Sequence, residues 1–400
     1  MKKSVVFIAL LSMVIGASAQ TMKVQSAYSD MKNERLASAK QNIDDACVNE
    51  KTKDDPKTWN YAGLIYAQIV DASANNQKLF KKQKIDTPVE TLCRQGIESF
   101  KKSLELEKKA GTNEYTSSSI NAMKVLCGYQ FVYAAKVYNE GKYQDALPLL
   151  QEAGNNAEII SYKNVILDSK YYQADCYRLL KDNDNALKLY RELAKLGSER
   201  SDVYLRVYAD NKAKNDTIKA INSLKAGIKN TIKDTVNNVT LKSMLAGAYL
   251  WANKQAEADK ILNELLAGRE NNTHVLNSVA QVYVDAGNVE KATELFNKSI
   301  AIDSKQIDPY RGVGLLYYNN AVDCLKKAAD VPMDDQATYD KLVAQSNEQF
   351  KLAIPHFTKA LEIKDNDFQS LKALKTIYSK LQMTAEYQVI SNKLDKLLQK

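Results

Sequence analysis

The residues that could start chemistry are few and scattered. His274 and His356 lie far apart, and neither has Cys or carboxylate companions at metal-ligand spacing, so a zinc site has little to build on. Nucleophilic catalysis needs a base beside the nucleophile, and metal catalysis needs clustered ligands with an open position. The chain assembles neither, and it carries no phosphate-cradling glycine loop and no dinucleotide fingerprint. The carboxylate pairs Asp44-Asp45, Asp54-Asp55 and Asp334-Asp335 read as helix-end or solvated residues that favour the helix dipole. Cys47, Cys93, Cys127, Cys176 and Cys324 are odd in number and irregular in spacing, which is no disulfide framework. Each falls where a helix would place a small apolar residue. The expectation is a protein that binds rather than catalyses, with no cofactor and no metal.

The elements that would position such a binding surface repeat. Ala186 and Ala220 are 34 residues apart, as are Ala258 and Ala292, and Tyr249, Tyr283 and Tyr317 step by 34. Ala246, Ala280 and Gly314 keep the same step, so three columns share one register. A fixed period of this length signals stacked supersecondary units.

These residues resemble the tetratricopeptide-repeat (TPR) family. The fullest match runs Leu276, Val279, Ala280, Tyr283, Gly287, Ala292, Phe296 and Ser299; similar sets include Ala174, Tyr177, Ala186, Tyr190 and Leu193, and Leu245, Ala246, Tyr249, Ala258, Leu262 and Leu265. Between Tyr204 and Gly227 the pattern departs, with Tyr208 where a small residue belongs and Asn211 where Tyr belongs. The resemblance implies an all-α, right-handed α-solenoid of stacked antiparallel helix pairs. Small residues let paired helices approach, aromatic rings fill the space to the neighbouring pair, and nearest-neighbour interfaces supply most of the stability. Most of the 23 tyrosines are therefore expected in the core.

Residues 20–400 read as one solenoid: a degenerate leading pair at 22–55, regular repeats over about 128–302, closing helices at 366–400, and two stretched repeats with elongated hairpins at about 56–110 and 308–365. Gly63-Leu64-Ile65-Tyr66 aligns with Gly314-Leu315-Leu316-Tyr317 across the stretched pair. Asp55-Pro56 and Asp308-Pro309 are expected to start helices, Thr87-Pro88-Val89-Glu90 to form a capping box, and Pro355 to kink its helix.

Residues 1–19 read as a signal peptide: Lys2-Lys3, an apolar run from Val5 to Gly16, then Ala17-Ser18-Ala19. The run is too short to span a bilayer, which takes roughly 20 residues. An exported chain is expected, periplasmic or secreted and not membrane-spanning. The net charge of +8 is spread among acidic residues rather than gathered on one face, so no nucleic acid is expected as partner.

By the TPR resemblance the partner is a protein or peptide segment lying on the concave face of the first helices. That face would include Tyr171, Asp175, Arg178, Ser243, Trp251, Asn277, Gln281, Arg311, Tyr318 and Lys372. The terminal-carboxylate clamp of some TPR co-chaperones is not expected, because Asn60 and Leu64 stand at the corresponding first-repeat positions. The alternative is a glycan-binding helper similar to the TPR-based outer-membrane polysaccharide receptors. Asp216-Thr217-Ile218 and Asp234-Thr235-Val236 resemble bacterial O-glycosylation sites, which makes Thr217 and Thr235 candidate modified residues in expected loops.

Overall fold

A computed structural model describes residues 22–231 and 235–398, and the side chains of 235–237 are outside that description as well. The expected signal peptide at 1–19 therefore lies outside the described residues. All regular structure among the described residues is helical. Chain contacts divide it into two compact units, one through Leu196 and one from Gly197 onward.

The first unit holds α1 (22–32), α2 (Leu36–Cys47), α3 (Pro56–Asn75), α4 (Gln77–Gln83), α5 (Val89–Ala110), α6 (Thr116–Asn139), α7 (Tyr143–Ile159), α8 (Lys163–Leu179) and α9 (Asn183–Lys195). The second holds α10 (Ser201–Ala213), α11 (Thr217–Asn230), α12 (Thr235–Trp251), α13 (Gln255–Leu266), α14 (Thr273–Asp285), α15 (Val289–Ile302), α16 (Ile307–Ala329), α17 (Gln336–Ile363), α18 (Phe368–Lys380) and α19 (Thr384–Leu398). Consecutive helices joined by tight turns lie side by side, and the first helix of each pair also touches the first helix of the next: α3 with α6 and α8 with α6, then α10 with α12, α14 with α12 and α16 with α14. This is an all-α solenoid of stacked helix pairs.

The register columns explain why the pairs form. Ala186, Ala220, Ala258 and Ala292 are all buried, as are Ala246, Ala280 and Val279, so the paired helices meet without side-chain bulk between them. Tyr249 and Tyr283 are buried while Tyr317 is half-buried, in keeping with rings that fill the space between pairs. The tight turn inside each of the five pairs from α6–α7 to α14–α15 has one residue in the left-handed region: Gly141, Lys181, Asn215, Asn253 and Gly287. Only glycine is free of a Cβ penalty there, yet lysine and asparagine fill three of these places.

The divergent pair α10–α11 packs by a different route. Tyr204 is fully buried, and its hydroxyl donates to Ser198 O at 2.7 Å. Gly227 on α11 makes room for it, since a Cβ there would lie 2.9 Å from the Tyr204 side chain. Asn211, at the place of the expected tyrosine, is buried and donates to Ser223 Oγ at 3.1 Å.

Several local expectations need correction. Asp55 does cap α3, accepting from Lys57 N, with Pro56 at the first helical position. Asp308 and Pro309, however, lie inside the first turn of α16, whose N-cap is Gln306. Thr87 forms no capping box, because α5 begins at Val89 behind Pro88, which offers no side-chain acceptor. Pro355, where a kink is expected, lies inside α17, which runs from Gln336 to Ile363. Pro355 and Lys351 are both on the exposed face, where water can take up the carbonyl that proline leaves unbonded. Trp59 is half-buried, with its indole N–H donating to Lys53 O at 2.6 Å.

Candidate functional site

In the second unit, the first helices line one cavity of about 950 Å³. The residues expected on the concave face that meet there are Ser243 and Trp251 from α12, Asn277 and Gln281 from α14, and Arg311 from α16. Ser243, Asn277 and Arg311 are 34 residues apart in turn, so one register position on three successive helices supplies the middle of the cavity. Thr240, His274 and Asp308 form a second such column, and Trp251 and Asp285 a third.

Each side chain is held differently. Ser243 is 5% exposed, and its hydroxyl has no partner among the protein's own groups. Asn277 donates through Nδ2 to Gln306 Oε1 at 3.1 Å, while its carbonyl oxygen is shielded and unpartnered. Gln281 is exposed and donates to Asp285 at 3.0 Å. Trp251, at 36% exposure, offers the large apolar surface at the cavity's edge.

Arg311 is committed internally. It donates to Asp308 and, at 3.1 Å, to Asp367, the buried N-cap of α18, and so ties α16 to α18. Burial would raise the Asp367 carboxyl, but hydrogen bonds from Ser370 and the charge of Arg311 outweigh it and hold the group below the usual carboxylate range. Arg311 is therefore a strut of the groove, not a free contact residue as expected.

The other expected face residues do not join this cavity. Asp175 is 7% exposed and accepts from Tyr138 at 2.5 Å, from Arg178 Nε at 2.6 Å and from Tyr190 at 3.4 Å. With its acceptor sites taken by residues of α6, α8 and α9, Asp175 is a core junction rather than a partner contact, and Arg178 is spent on it. Tyr171 is half-buried with its ring edge-on to Tyr172 and Tyr190. Tyr318 is half-buried, edge-to-face with Phe350 at 5.6 Å. Lys372 is exposed and borders a separate shallow depression with Phe368 and Lys375.

Thr217 is not in a loop. It is the first residue of α11, half-buried behind its cap Asp216. Thr235 is the first residue of α12, and its side chain lies outside the described residues. All five cysteines are free, and burial pushes the Cys93 and Cys127 thiols up to about 12. Among the described residues no group of His, Cys, Asp and Glu is placed to hold a metal ion, and no helix is long and apolar enough to cross a membrane.

Sequence reasoning missed His274, Tyr208, Met244 and Gln306, all on the cavity wall. Extending the 34-residue columns through Thr240, His274 and Asp308 would have found the first. Gln306 sits in the α15–α16 turn and carries no periodic signal.

No family model matches the chain. Over 129 residues it is 29% identical to the antiviral innate immune response effector IFIT1 of Macaca fascicularis, a stretch covering 32% of this chain and 26% of that protein, so the chain spans about a quarter of that relative's length. Among solved structures it is similar to yeast Tom70, at 13% identity and a TM-score of 0.43, over 94% of this chain and 85% of that one. Human IFIT1, solved as a dimer with PPP-AAAA, gives 18% identity and a TM-score of 0.38 over 85% and 74%. YrrB, a TPR protein with an unusual peptide-binding site, gives 15% identity and a TM-score of 0.28 over 54% and 96%.

Proposed function

We propose that this chain is a non-catalytic scaffold that takes an extended protein segment into the groove of its second unit, and that it works outside the cytoplasm, in the periplasm or after secretion, in envelope assembly or secretion. The observation that carries the reading is the convergence of Ser243, Trp251, Asn277 and Gln281 on one cavity lined by successive first helices. Its walls run from Tyr208 on α10 to Gln369 on α18. With neighbouring helices 8–10 Å apart, such a groove is roughly 30–40 Å long, the reach of about ten extended residues.

The wall chemistry favours a polypeptide. Amide and hydroxyl groups suit main-chain N–H and C=O groups, and Trp251 suits an apolar side chain. Lys212 and Arg311 are balanced by Asp285 and Asp308, so the groove is no phosphate-neutralising channel. Export rests on the Lys2-Lys3, apolar and Ala17-Ser18-Ala19 order, and N-terminal sequencing of the mature chain should begin at Gln20.

The test is a photo-crosslinking amino acid at Gln281 of the full chain in its native envelope, with one at the exposed Lys188 as control. A protein adduct is expected at Gln281 only, lost when Trp251→Ala and Asn277→Ala are combined. Polysaccharide binding without a protein adduct would transfer the site to the glycan-binding alternative, and an RNA adduct would overturn both.

A further inference from the structure

The groove is electrically balanced in sum but not locally. Arg311 and Asp308 are in contact on α16 and neutralise each other where they stand. Lys212 and Asp285, the other two formal charges on the wall, are both exposed, and neither forms an ion pair among the described residues. The Lys212 ammonium lies 5.9 Å from the Tyr208 ring, and the nearest acid along its helix, Asp210, is taken by Lys214 at 2.9 Å. Asp285 accepts from the Gln281 amide at 3.0 Å, a bond that brings no positive charge.

Their positions put them on one rim. Lys212 is the penultimate residue of α10, Trp251 the last of α12 and Asp285 the last of α14. Because α12 touches both α10 and α14, Trp251 stands between the two charges. One turn back from Trp251 the wall is open at Gly247, where a Cβ would meet nothing within 4 Å. At 8–10 Å per helix step the charges are roughly 16–20 Å apart, well beyond the Debye length of about 8 Å at physiological salt. They therefore do little for each other. Nor does helix stability account for Asp285: the C-terminal end of a helix is the negative pole of its macrodipole, which favours a cation and disfavours a carboxylate. Lys212 suits its helix end, and Asp285 does not.

We infer that Lys212 and Asp285 are the specificity residues of the groove: they select an extended segment with an acidic residue over α10, an apolar side chain in the notch between Gly247 and Trp251, and a basic residue over α14. This rests on the peptide-groove reading above and deepens it. An extended chain advances 3.3–3.6 Å per residue, so the acidic and basic residues stand about five positions apart.

The test uses the full-length chain. The probe is a twelve-residue peptide selected on it from a random display library and measured by fluorescence anisotropy. The selected sequences should share an acidic and a basic residue about five positions apart, on either side of an apolar one. Lys212→Glu should weaken such a peptide about tenfold. Exchanging the peptide's acidic residue for lysine should weaken binding to wild type by a similar factor and restore it on Lys212→Glu. Asp285→Lys should behave likewise toward a peptide whose basic residue is exchanged for glutamate, while its melting temperature stays level or rises, since the change suits the helix end. A merely structural Asp285 would show a lowered melting temperature and no rescue. Selected peptides without the charge pair, or charge reversals that leave affinity unchanged or are not rescued, would overturn the inference while leaving the groove reading standing. Failure to select any peptide that Trp251→Ala weakens would defeat the groove reading, and this inference with it.

Discussion

The first helices of the two units carry equivalent faces with opposite fates. In the first unit, α6 and α8 are joined by rings, with Phe131 and Tyr138 each edge-on to Tyr172 at 5.6 and 4.9 Å, and by the Asp175 junction. In the second, α12, α14 and α16 place Ser243, Gly247, Asn277, Ser278 and Gln281 on the corresponding side and leave a cavity. The backbone scheme is shared; side-chain volume and hydrogen-bond saturation decide whether a solenoid face becomes core or site.

The largest expected effect tests that contrast directly. Asp175→Ala removes a buried acceptor from three donors and leaves Arg178 without its partner, so the first unit should lose about 3 kcal/mol. Asn277→Ala removes one bond from a half-buried amide and should cost the second unit no more than about 1 kcal/mol. Hydrogen exchange of α8 and α14 peptides along a urea series reads each unit separately. Equal costs would erase the distinction between a saturated face and an open one.

Next in size is a pair of glycines in the second unit. A Cβ on Gly312 would fall 2.2 Å from the buried Phe296 ring, so Gly312→Ala should cost about 1–3 kcal/mol through overpacking. Gly247, on the groove wall, has nothing within 4 Å of that position. Gly247→Ala should therefore stabilise by roughly 0.5–1 kcal/mol, the ordinary gain in a helix interior. Thermal unfolding of the two variants should move in opposite directions, and a destabilising Gly247→Ala would mean that the groove wall is closed.

A smaller effect sets a pH limit on the second unit alone. His356 on α17 lies nearly parallel to Tyr317, with centroids 5.8 Å apart, and burial holds its imidazole below the ordinary value of 6.5. The unfolded chain then binds more protons than the folded one as pH falls below 6.5, so stability is lost in that direction down to the folded value. The slope cannot exceed about 1.4 kcal/mol per pH unit for one group. His356→Phe keeps a ring against Tyr317 and should flatten the pH 5–7 profile; an unchanged profile would assign the slope to other groups.

Much of the fold is legible in the sequence. The alanine and tyrosine columns define the pairs because close helix approach and ring filling are local demands that recur at each step. Ser243, Asn277, Gln281 and Trp251 were readable as a face for the same reason. Asp175 was misread because its fate depends on Tyr138, 37 positions earlier, and no period links the two. Arg311 was misread because Asp367 lies across a long hairpin, 56 positions away. The start of α16 is misplaced by the Asp308-Pro309 signal because Pro309 is the third residue of the helix rather than the first. Periodicity reports what each repeat shares, whereas sites and struts are made by what one repeat does alone.

The smallest expected effect is the most discriminating in sign. Ser243 Oγ is buried in α12 with no protein partner, so the free protein gains nothing from the hydroxyl and bears the cost of withdrawing it from water. Alanine also has the better helix propensity, by up to about 0.5 kcal/mol. Ser243→Ala should thus leave the second unit unchanged or stabilise it by a few tenths of a kcal/mol, while weakening capture through the Gln281 crosslinker. A residue that only packs would show no loss of capture, and one with an internal role would show a clear loss of stability. A gain in stability coupled to a loss of binding is the signature of a polar group kept for a ligand, and either of the other two patterns would place Ser243 with Asp175, on the structural side of the comparison.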